Sequence, residues 1–348
     1  MMKEKSLKKQ ILVILISFSI FIAISVGLIA MVNFYLSKLN IIEHNQKQIL
    51  YQIESEMDKF LSKIYKISFY IKSNYQNNNI LLKNIVDTNT NISSILILSK
   101  NGIIEDFYAT TNLNIYRGFD YSNQEYFKGI KENKDYWSNV FLSTVDEETA
   151  ISYSFRMDDK VVVLMVQLKE ISDFISRFKN QDNTHMVKIF DSSGTVILNP
   201  NNPDLVLQRF NEKSQQVFTK LIDILKPYEF VIYYSNFFDE EQYGTYTSIE
   251  KTAWKIVVRE SYEVILKSLN SIVFGIIFSI ITFIMVAILL SLQISKRIFR
   301  SLDDLQQTTT SIANGNYDIE IRKSYYAELN VLLNSFNKMK IEIDKRED

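Results

Sequence analysis

Two long apolar runs without a charged residue constrain this chain more than any other feature. They occupy residues 11–32 and 272–292. Because a helix rises about 1.5 Å per residue, about 20 such residues cross a hydrocarbon core of about 30 Å. A soluble core helix that is apolar on every side over this length would be unusual. The pattern therefore predicts two transmembrane helices, at residues 11–36 and 271–294.

Basic residues flank the outer ends of the two runs: Lys3, Lys5, Lys8 and Lys9 before the first, and Lys296, Arg297 and Arg300 after the second. Such residues concentrate on the cytoplasmic side of membrane helices, which predicts a two-pass cell-membrane protein with both termini, residues 1–10 and 295–348, in the cytoplasm. Residues 37–270 would then be extracytoplasmic. The first run could instead be a cleaved signal peptide, but its length and the absence of an A-x-A-like site favour an anchor.

The composition makes several classes of function improbable for this chain. A formal net charge of −1 gives no reason to expect nucleic acid as a partner, and the absence of cysteine excludes disulfides and zinc–thiolate sites. His44 and His185 lie in separate segments, no histidine follows His185 and no glycine follows Gly315. A histidine kinase needs a phosphoacceptor histidine and a glycine-rich nucleotide lid, and a diguanylate cyclase needs a glycine-rich turn. We therefore expect no catalytic residue, metal or cofactor in this chain.

A regular apolar stripe follows the first run, at alternating spacings of three and four residues: Leu50, Ile53, Met57, Phe60, Ile64, Ile67 and Ile71. This spacing predicts a long helix over residues 37–85. The stripe could pack against a sheet of its own domain or form the seam of a dimer, and the pattern favours neither.

A hairpin pattern occurs twice beyond this helix. Residues 95–98 and 103–104 flank a turn that ends at Gly102, and residues 186–190 and 195–198 flank a turn that ends 92 residues later at Gly194. Further β-rich runs follow each hairpin, at 151–155 and 161–167 and again at 230–235 and 254–259. The repetition predicts two tandem PAS-like α/β modules, at about 86–180 and 181–268, and hence an α+β fold.

Three stretches of the external segment carry a family resemblance: residues 118–128 (GFDYSNQEYFK), 136–138 (YWS) and 151–155 (ISYSF). Residues 37–268 resemble the double Cache family of extracytoplasmic sensor domains, in which a long helix precedes two PAS-like modules. The resemblance implies that these stretches wall a small-molecule pocket in the membrane-distal module.

The candidate ligand-binding residues are Tyr121, Tyr126, Trp137, Tyr153 and Gln167. The four aromatic residues combine an apolar ring with a polar tip, which suits a ligand pocket. Each of them alone is more simply a core residue in a chain with 20 Tyr and 23 Phe, whereas the cluster favours a pocket. Amino-acid-binding members of the family carry an Arg-x-Trp-Tyr phrase and a later aspartate. Here residues 124–127 read QEYF and the aspartate position is Gln167, so we expect a ligand of low charge, or none, rather than a free amino acid.

Two further apolar stripes lie in the predicted cytoplasmic tail: Ile298, Leu302, Leu305, Thr309 and Ile312, then Leu329, Leu332, Phe336, Met339 and Ile343. They predict a short helix that stops at residues 314–316, a connector containing Ile319 and Ile321, and a second helix. Residues 295–348 resemble a HAMP domain, with SLDDL at 301–305 and FNKM at 336–339, although Ser301 stands where the family usually has proline. The resemblance implies a helical coiled coil that forms a four-helix bundle in a homodimer.

This architecture predicts a receptor that senses an extracellular small molecule and relays the signal to a cytoplasmic output domain or partner. On resemblance, the output is a histidine kinase in a longer chain. The alternatives are the front end of a chemoreceptor or diguanylate cyclase, and a membrane-anchored binding module that does not signal. Two phased helices directly after the membrane favour signalling over a plain anchor.

Overall fold

The computed structural model of the chain describes residues 7–76, 79–110, 116–143, 149–178, 185–314 and 327–347. It divides into two compact units. Lys38–Ser268 form one unit, and Met1–Ser37 with Leu269–Asp348 form the other. Each unit is described by itself.

The unit Lys38–Ser268 is built along the helix α1 (Leu7–Asn74). In the predicted stripe of α1, Leu50, Ile53 and Ile64 have no exposed surface, and Ile67 is partly buried. These side chains belong to one apolar core with residues of both sheets described below. The interpretation of the stripe as a face packed within its own domain is therefore confirmed.

The first module continues from α1 with two short helices and six strands. Its elements are α2 (Asn79–Thr88), β1 (Ile92–Leu98), β2 (Ile104–Ala109), α3 (Glu125–Glu132), β3 (Asp135–Trp137), β4 (Phe141–Leu142), β5 (Thr149–Met157) and β6 (Lys160–Gln167), followed by α4 (Lys169–Ser176). The strands pair antiparallel in the order β2-β1-β6-β5-β3, and β4 pairs with β5.

The second module has the same strand order. Its elements are β7 (His185–Phe190), β8 (Val196–Leu198), α5 (Asp204–Leu207), a π-helical segment (Val217–Ile222), β9 (Val231–Ser235), β10 (Glu240–Ile249) and β11 (Trp254–Ser261). Its sheet runs β8-β7-β11-β10-β9, again with the second strand at one edge and the last strand in the centre. In this described part of the chain the α+β fold and the repeated hairpin are confirmed.

Both predicted hairpin turns need glycine. Gly102 has φ +88° and Gly194 has φ +90°, a region that side chains with a Cβ rarely occupy. A Cβ on Gly102 would also lie 2.6 Å from the Cα of Ser122, so the turn sits directly against the segment that leads into α3.

The two faces of the first sheet form separate apolar cores. Side chains such as Ile95, Tyr153 and Leu164 face α1, whereas Leu96, Val163 and Met165 face α3. This division follows from the alternation of side chains along a strand. It decides which residues can meet in one site.

The other unit contains the two apolar runs. The helix α1 and the helix α6 (Tyr262–Ala313) are each long enough and apolar enough to cross a membrane. Phe18 and Phe278 on these runs are 63% and 74% exposed in the isolated chain, as lipid-facing residues would be.

The tail differs from its prediction in one respect. The first tail stripe does not form a separate short helix, because α6 continues through it without interruption to Ala313. The second stripe lies on α7 (Ala327–Glu347). Gly315, Ile319 and Ile321 of the predicted stop and connector lie outside the described residues.

Candidate functional site

A cavity of about 320 Å³ lies on the α3 face of the first module. The described residues that line it are Leu96, Phe107, Tyr116, Tyr121, Gln124, Glu125, Tyr126, Ser138, Phe141, Ser143, Met165 and Arg209. Aromatic and aliphatic side chains supply most of this lining, and hydroxyl, amide and charged groups are interspersed among them. This mixture is typical of small-molecule sites.

The sheet forms the floor of the cavity, where Leu96 of β1 and Met165 of β6 line it. The serines that line the cavity are Ser138 and Ser143. The hydroxyl of Ser138 donates to the carbonyl of Asn139 at 2.8 Å and accepts from the backbone N–H of Ser152 at 2.8 Å, so the protein holds it in place at the edge of the sheet.

Two tyrosines at the start of α3 form one wall. The rings of Tyr121 and Tyr126 lie 6.3 Å apart, and the ring of Tyr126 lies 6.2 Å from that of Phe141. Burial raises the pKa of Tyr126 far above its ordinary value, so its hydroxyl stays protonated at any physiological pH. The wall therefore presents neutral hydrogen-bonding groups rather than a charge.

Glu125 connects this wall to the neighbouring strand. Its Oε1 accepts hydrogen bonds from the hydroxyl of Tyr136 at 2.8 Å and from the backbone N–H of Asn139 at 3.0 Å. Gly129 permits the close approach, because a Cβ there would lie 2.5 Å from the ring of Tyr136. The carboxylate of Glu125 thus already has partners in the protein. The cation in the described lining is Arg209, an exposed residue of the second module.

Trp137 and Tyr153 lie on the opposite face of the sheet. They are paired residues of β3 and β5, and both rings pack against Tyr65 of α1, at centroid distances of 6.4 and 5.0 Å. Their polar tips are used there: Trp137 Nε1 donates to Tyr65 Oη at 3.3 Å, and Tyr153 Oη donates to Asp135 at 3.0 Å. The structure therefore brings together Tyr121 and Tyr126 but not Trp137 and Tyr153.

Gln167 lies at the end of β6, away from the tyrosine wall. Its backbone N–H donates to the carbonyl of Asn91 at 2.9 Å, and its side chain lines a different cleft together with Thr149 and Asn199. Of the five candidate residues, only Tyr121 and Tyr126 line the cavity.

The sequence analysis missed several lining residues, including Leu96, Phe107 and Met165. Applying strand alternation to the predicted runs would have found two of them, because Leu96 and Met165 sit one residue from core positions that face α1. No local signal points to Arg209, which comes from the other module.

Comparison with known proteins identifies the fold. No protein-family model and no curated protein sequence matches the chain. Among solved structures, the extracellular domain of a protein designated histidine kinase rpHK1S-Z16 matches with a TM-score of 0.53 and 16% identity, over 66% of this chain and 98% of that one.

Two further matches are ligand-binding domains of the Campylobacter jejuni chemoreceptor Tlp3. The complex with 4-methylisoleucine has a TM-score of 0.51 and 17% identity, over 66% of this chain and 93% of that one. The complex with L-valine has a TM-score of 0.50 and 15% identity, over 66% and 97%. The chain thus shares the fold of ligand-binding sensory domains.

Proposed function

We propose that this chain is a transmembrane receptor whose double Cache sensor binds an extracellular small molecule in the cavity of its first module. The observation that carries this proposal is the cavity itself, which lies between α3 and the first sheet and is lined by tyrosine and serine side chains among apolar ones, in a sensory-domain fold. The apolar runs of α1 and α6 would cross the membrane and leave both termini in the cytoplasm.

The ligand we propose is a small molecule of low charge that exchanges hydrogen bonds with tyrosine and serine hydroxyls. Gln124 stands where amino-acid-binding relatives have arginine, and the oxygen of Glu125 is already engaged by Tyr136 and Asn139. Neither the carboxylate nor the ammonium of a free amino acid would find its usual fixed partner here. The amino-acid complexes of Tlp3 describe the ligands of Tlp3, and we do not transfer those ligands to this chain.

A relay route is also proposed. The ring centroids of Trp137 of β3 and Trp254 of β11 lie 5.9 Å apart. A shift of the first sheet would therefore displace β11, the last strand of the second sheet. Helix α6 begins at Tyr262, directly after β11 ends at Ser261, and no loop separates them to absorb a displacement. A ligand that favours one packing would in this way shift α6.

The tail would receive that shift as a HAMP domain in a homodimer and pass it to a cytoplasmic output. A histidine kinase is the output we favour, with a chemoreceptor or diguanylate cyclase as the alternatives. Because the apolar stripe of α1 is buried within its own domain, we expect the tail helices rather than this stripe to form the dimer interface. A single cysteine placed in residues 272–292 would be the only one in the chain, so its cross-linking between chains can be read directly.

The decisive experiment screens the full chain, in lipid nanodiscs, against a library of metabolites. Trp137 and Trp254 are the chain's only tryptophans and both lie in the unit Lys38–Ser268, so selectively excited tryptophan fluorescence reports the thermal unfolding of this unit. We expect a ligand that raises the unfolding midpoint by mass action. Tyr121→Ala should weaken binding at least about tenfold by removing a wall of the cavity.

Tyr153→Phe is the matched control, because it also alters one tyrosine but on the opposite face of the sheet, and it should leave the affinity unchanged. The twenty standard amino acids should produce no shift. A strong rise of the unfolding midpoint with any of them would refute the low-charge ligand. A ligand whose affinity is unchanged in Tyr121→Ala would refute the cavity as its binding site. If no ligand is found and cross-linking of α6 never changes, a plain membrane anchor becomes the better interpretation.

A further inference from the structure

The second module contains a smaller cavity, of about 180 Å³, to which no role has been given above. It lies between the segment after α5 and the strands β9 and β11. Arg259, Tyr233 and Glu212 line its polar side, and Phe210, Val217 and Phe237 line its apolar side.

Two buried charged side chains, Glu212 and Arg259, line this cavity, and a third, Lys188, is paired with Glu212. Lys188, Glu212 and Arg259 are 3%, 5% and 2% exposed. Lys188 forms an ion pair with Glu212, whereas Arg259 has no carboxylate at ion-pair distance within the described residues. The nearby Glu240 accepts from Gln242 and Ser261 instead. The cluster therefore holds one cation more than it holds anions.

Arg259 is poorly satisfied by the protein. One terminal nitrogen donates to the hydroxyl of Ser235 at 3.3 Å and the other to the sulfur of Met186 at 3.7 Å, both weak contacts. Its Nε and the hydroxyl of Tyr233 are buried without a hydrogen bond of good geometry in the described chain. The guanidinium also lies over the ring of Phe238, at 4.6 Å from its centroid, which leaves its in-plane N–H groups for other partners. A buried guanidinium without an anionic partner is costly, so an anion in the cavity would recover hydrogen bonds that the fold leaves unmade.

The position of Arg259 matches that of Met165 in the first module. Leu98 pairs with Val161 and Ser94 with Met165, while Phe190 pairs with Lys255 and Met186 with Arg259. Leu98 and Phe190 each end the first strand of their hairpin, so Met165 and Arg259 occupy the same place on the last strand. The cavity of the second module is thus the counterpart of the proposed ligand site, with a cation at its floor.

A glycine makes room for this arrangement. Gly244 lies opposite Arg259 on β10, and a Cβ there would come within 3.0 Å of the Cβ of Arg259 and 3.3 Å of the ring of Tyr233. Glycine in the middle of a strand weakens the strand and often marks a close approach.

We propose that this second cavity binds a small monocarboxylate. The carboxylate would accept hydrogen bonds from the guanidinium of Arg259 and the hydroxyl of Tyr233, and a short carbon chain would contact Phe210, Val217 and Phe237. The volume admits a ligand of a few carbons. The site is separate from the cavity of the first module and goes beyond the function proposed above.

The test titrates the full chain in nanodiscs with propionate and with its neutral amide, propionamide, by calorimetry. We expect propionate to bind at one site per chain and propionamide to bind at least about tenfold more weakly, because the amide lacks the charge that Arg259 recognises. Equal binding of the two molecules, or no binding of propionate, overturns the proposal.

Variants then locate the site. Arg259→Gln should abolish propionate binding, and Tyr233→Phe should weaken it about three- to tenfold by removing one hydrogen bond. Since Tyr233→Phe deletes a hydroxyl without a good partner, it should fold normally even if Arg259→Gln does not, and an unchanged affinity in Tyr233→Phe overturns the assignment. Tyr121→Ala in the first module should leave propionate binding intact, so the result is independent of the ligand proposed there.

Discussion

The two modules share a strand order and a hairpin geometry, but the equivalent positions on their last strands carry opposite chemistry. In the first module this position is Met165, which faces a cavity walled by tyrosines and serines. In the second it is Arg259, which lies with the buried pair Lys188 and Glu212. The two modules therefore share a backbone framework, whereas the side chain at the floor of each cavity differs and would favour a different ligand.

The two floors also differ in their energetic cost. Buried serines in the first module lose at most a hydrogen bond each, whereas the second module removes three charges from water. Desolvation lowers the pKa of Lys188 to about 8, and the neighbouring Arg259 lowers it too, while Glu212 opposes the shift. The floor of the second cavity is thus the one whose stability depends on the balance of buried charges.

The largest expected effect comes from disturbing that balance. Glu212→Gln keeps an acceptor for Lys188 but leaves two buried cations without an anion, and we expect a loss of about 3 kcal/mol of unfolding free energy. Urea unfolding of the full chain, followed by tryptophan fluorescence, measures it. The matched variant Glu125→Gln in the first module should cost less than about 1 kcal/mol, because its amide oxygen can still accept from Tyr136 and Asn139. Similar losses in the two variants would contradict the contrast between the modules.

Much of the framework could be predicted from the sequence, because local patterns encode it. The spacing of Leu50, Ile53 and Ile64 and the glycines of the two hairpins appear in the structure as expected. The long strand β10 was not predicted, because its sequence EEQYGTYTSI is too polar to resemble a central strand. Gln242, Thr245 and Thr247 of β10 are nonetheless buried, because β10 lies between β9 and β11 in the sheet.

The site was harder to predict than the fold. Residues close in sequence were expected to share one pocket, but strand alternation turns Trp137 and Tyr153 towards α1. The cluster at the second cavity was missed for a different reason. Lys188, Glu212 and Arg259 are far apart along the chain, and only the pairing of β7 with β11 brings the first and third of them together.

The two hairpin turns provide a second comparison, with an intermediate effect. Gly102→Ala must adopt a left-handed conformation and also place a Cβ 2.6 Å from the backbone of Ser122. Gly194→Ala has the same conformational problem, but its nearest neighbour is the Cβ of Lys213 at 3.0 Å. We expect losses of about 2 kcal/mol for Gly102→Ala and about 1 kcal/mol for Gly194→Ala. The same urea unfolding measures both, and a greater loss for Gly194→Ala would show that the backbone contact at Ser122 relaxes easily.

A pH dependence provides the last comparison, through the buried Lys188 of the second module. The pKa of Lys188 is about 8 in the folded chain, against about 10.5 when the chain is unfolded. Between these two values the unfolded state binds more protons, so the contribution of Lys188 to stability rises as the pH rises from about 8 to 10.5 and is constant below that window. Urea unfolding across this range should show the rise in the parent chain and a flatter profile in Lys188→Met, which has no group to titrate at this position. Identical profiles for the parent and Lys188→Met would show that Lys188 is hydrated in solution, and the electrostatic contrast between the modules would then rest on Arg259 alone.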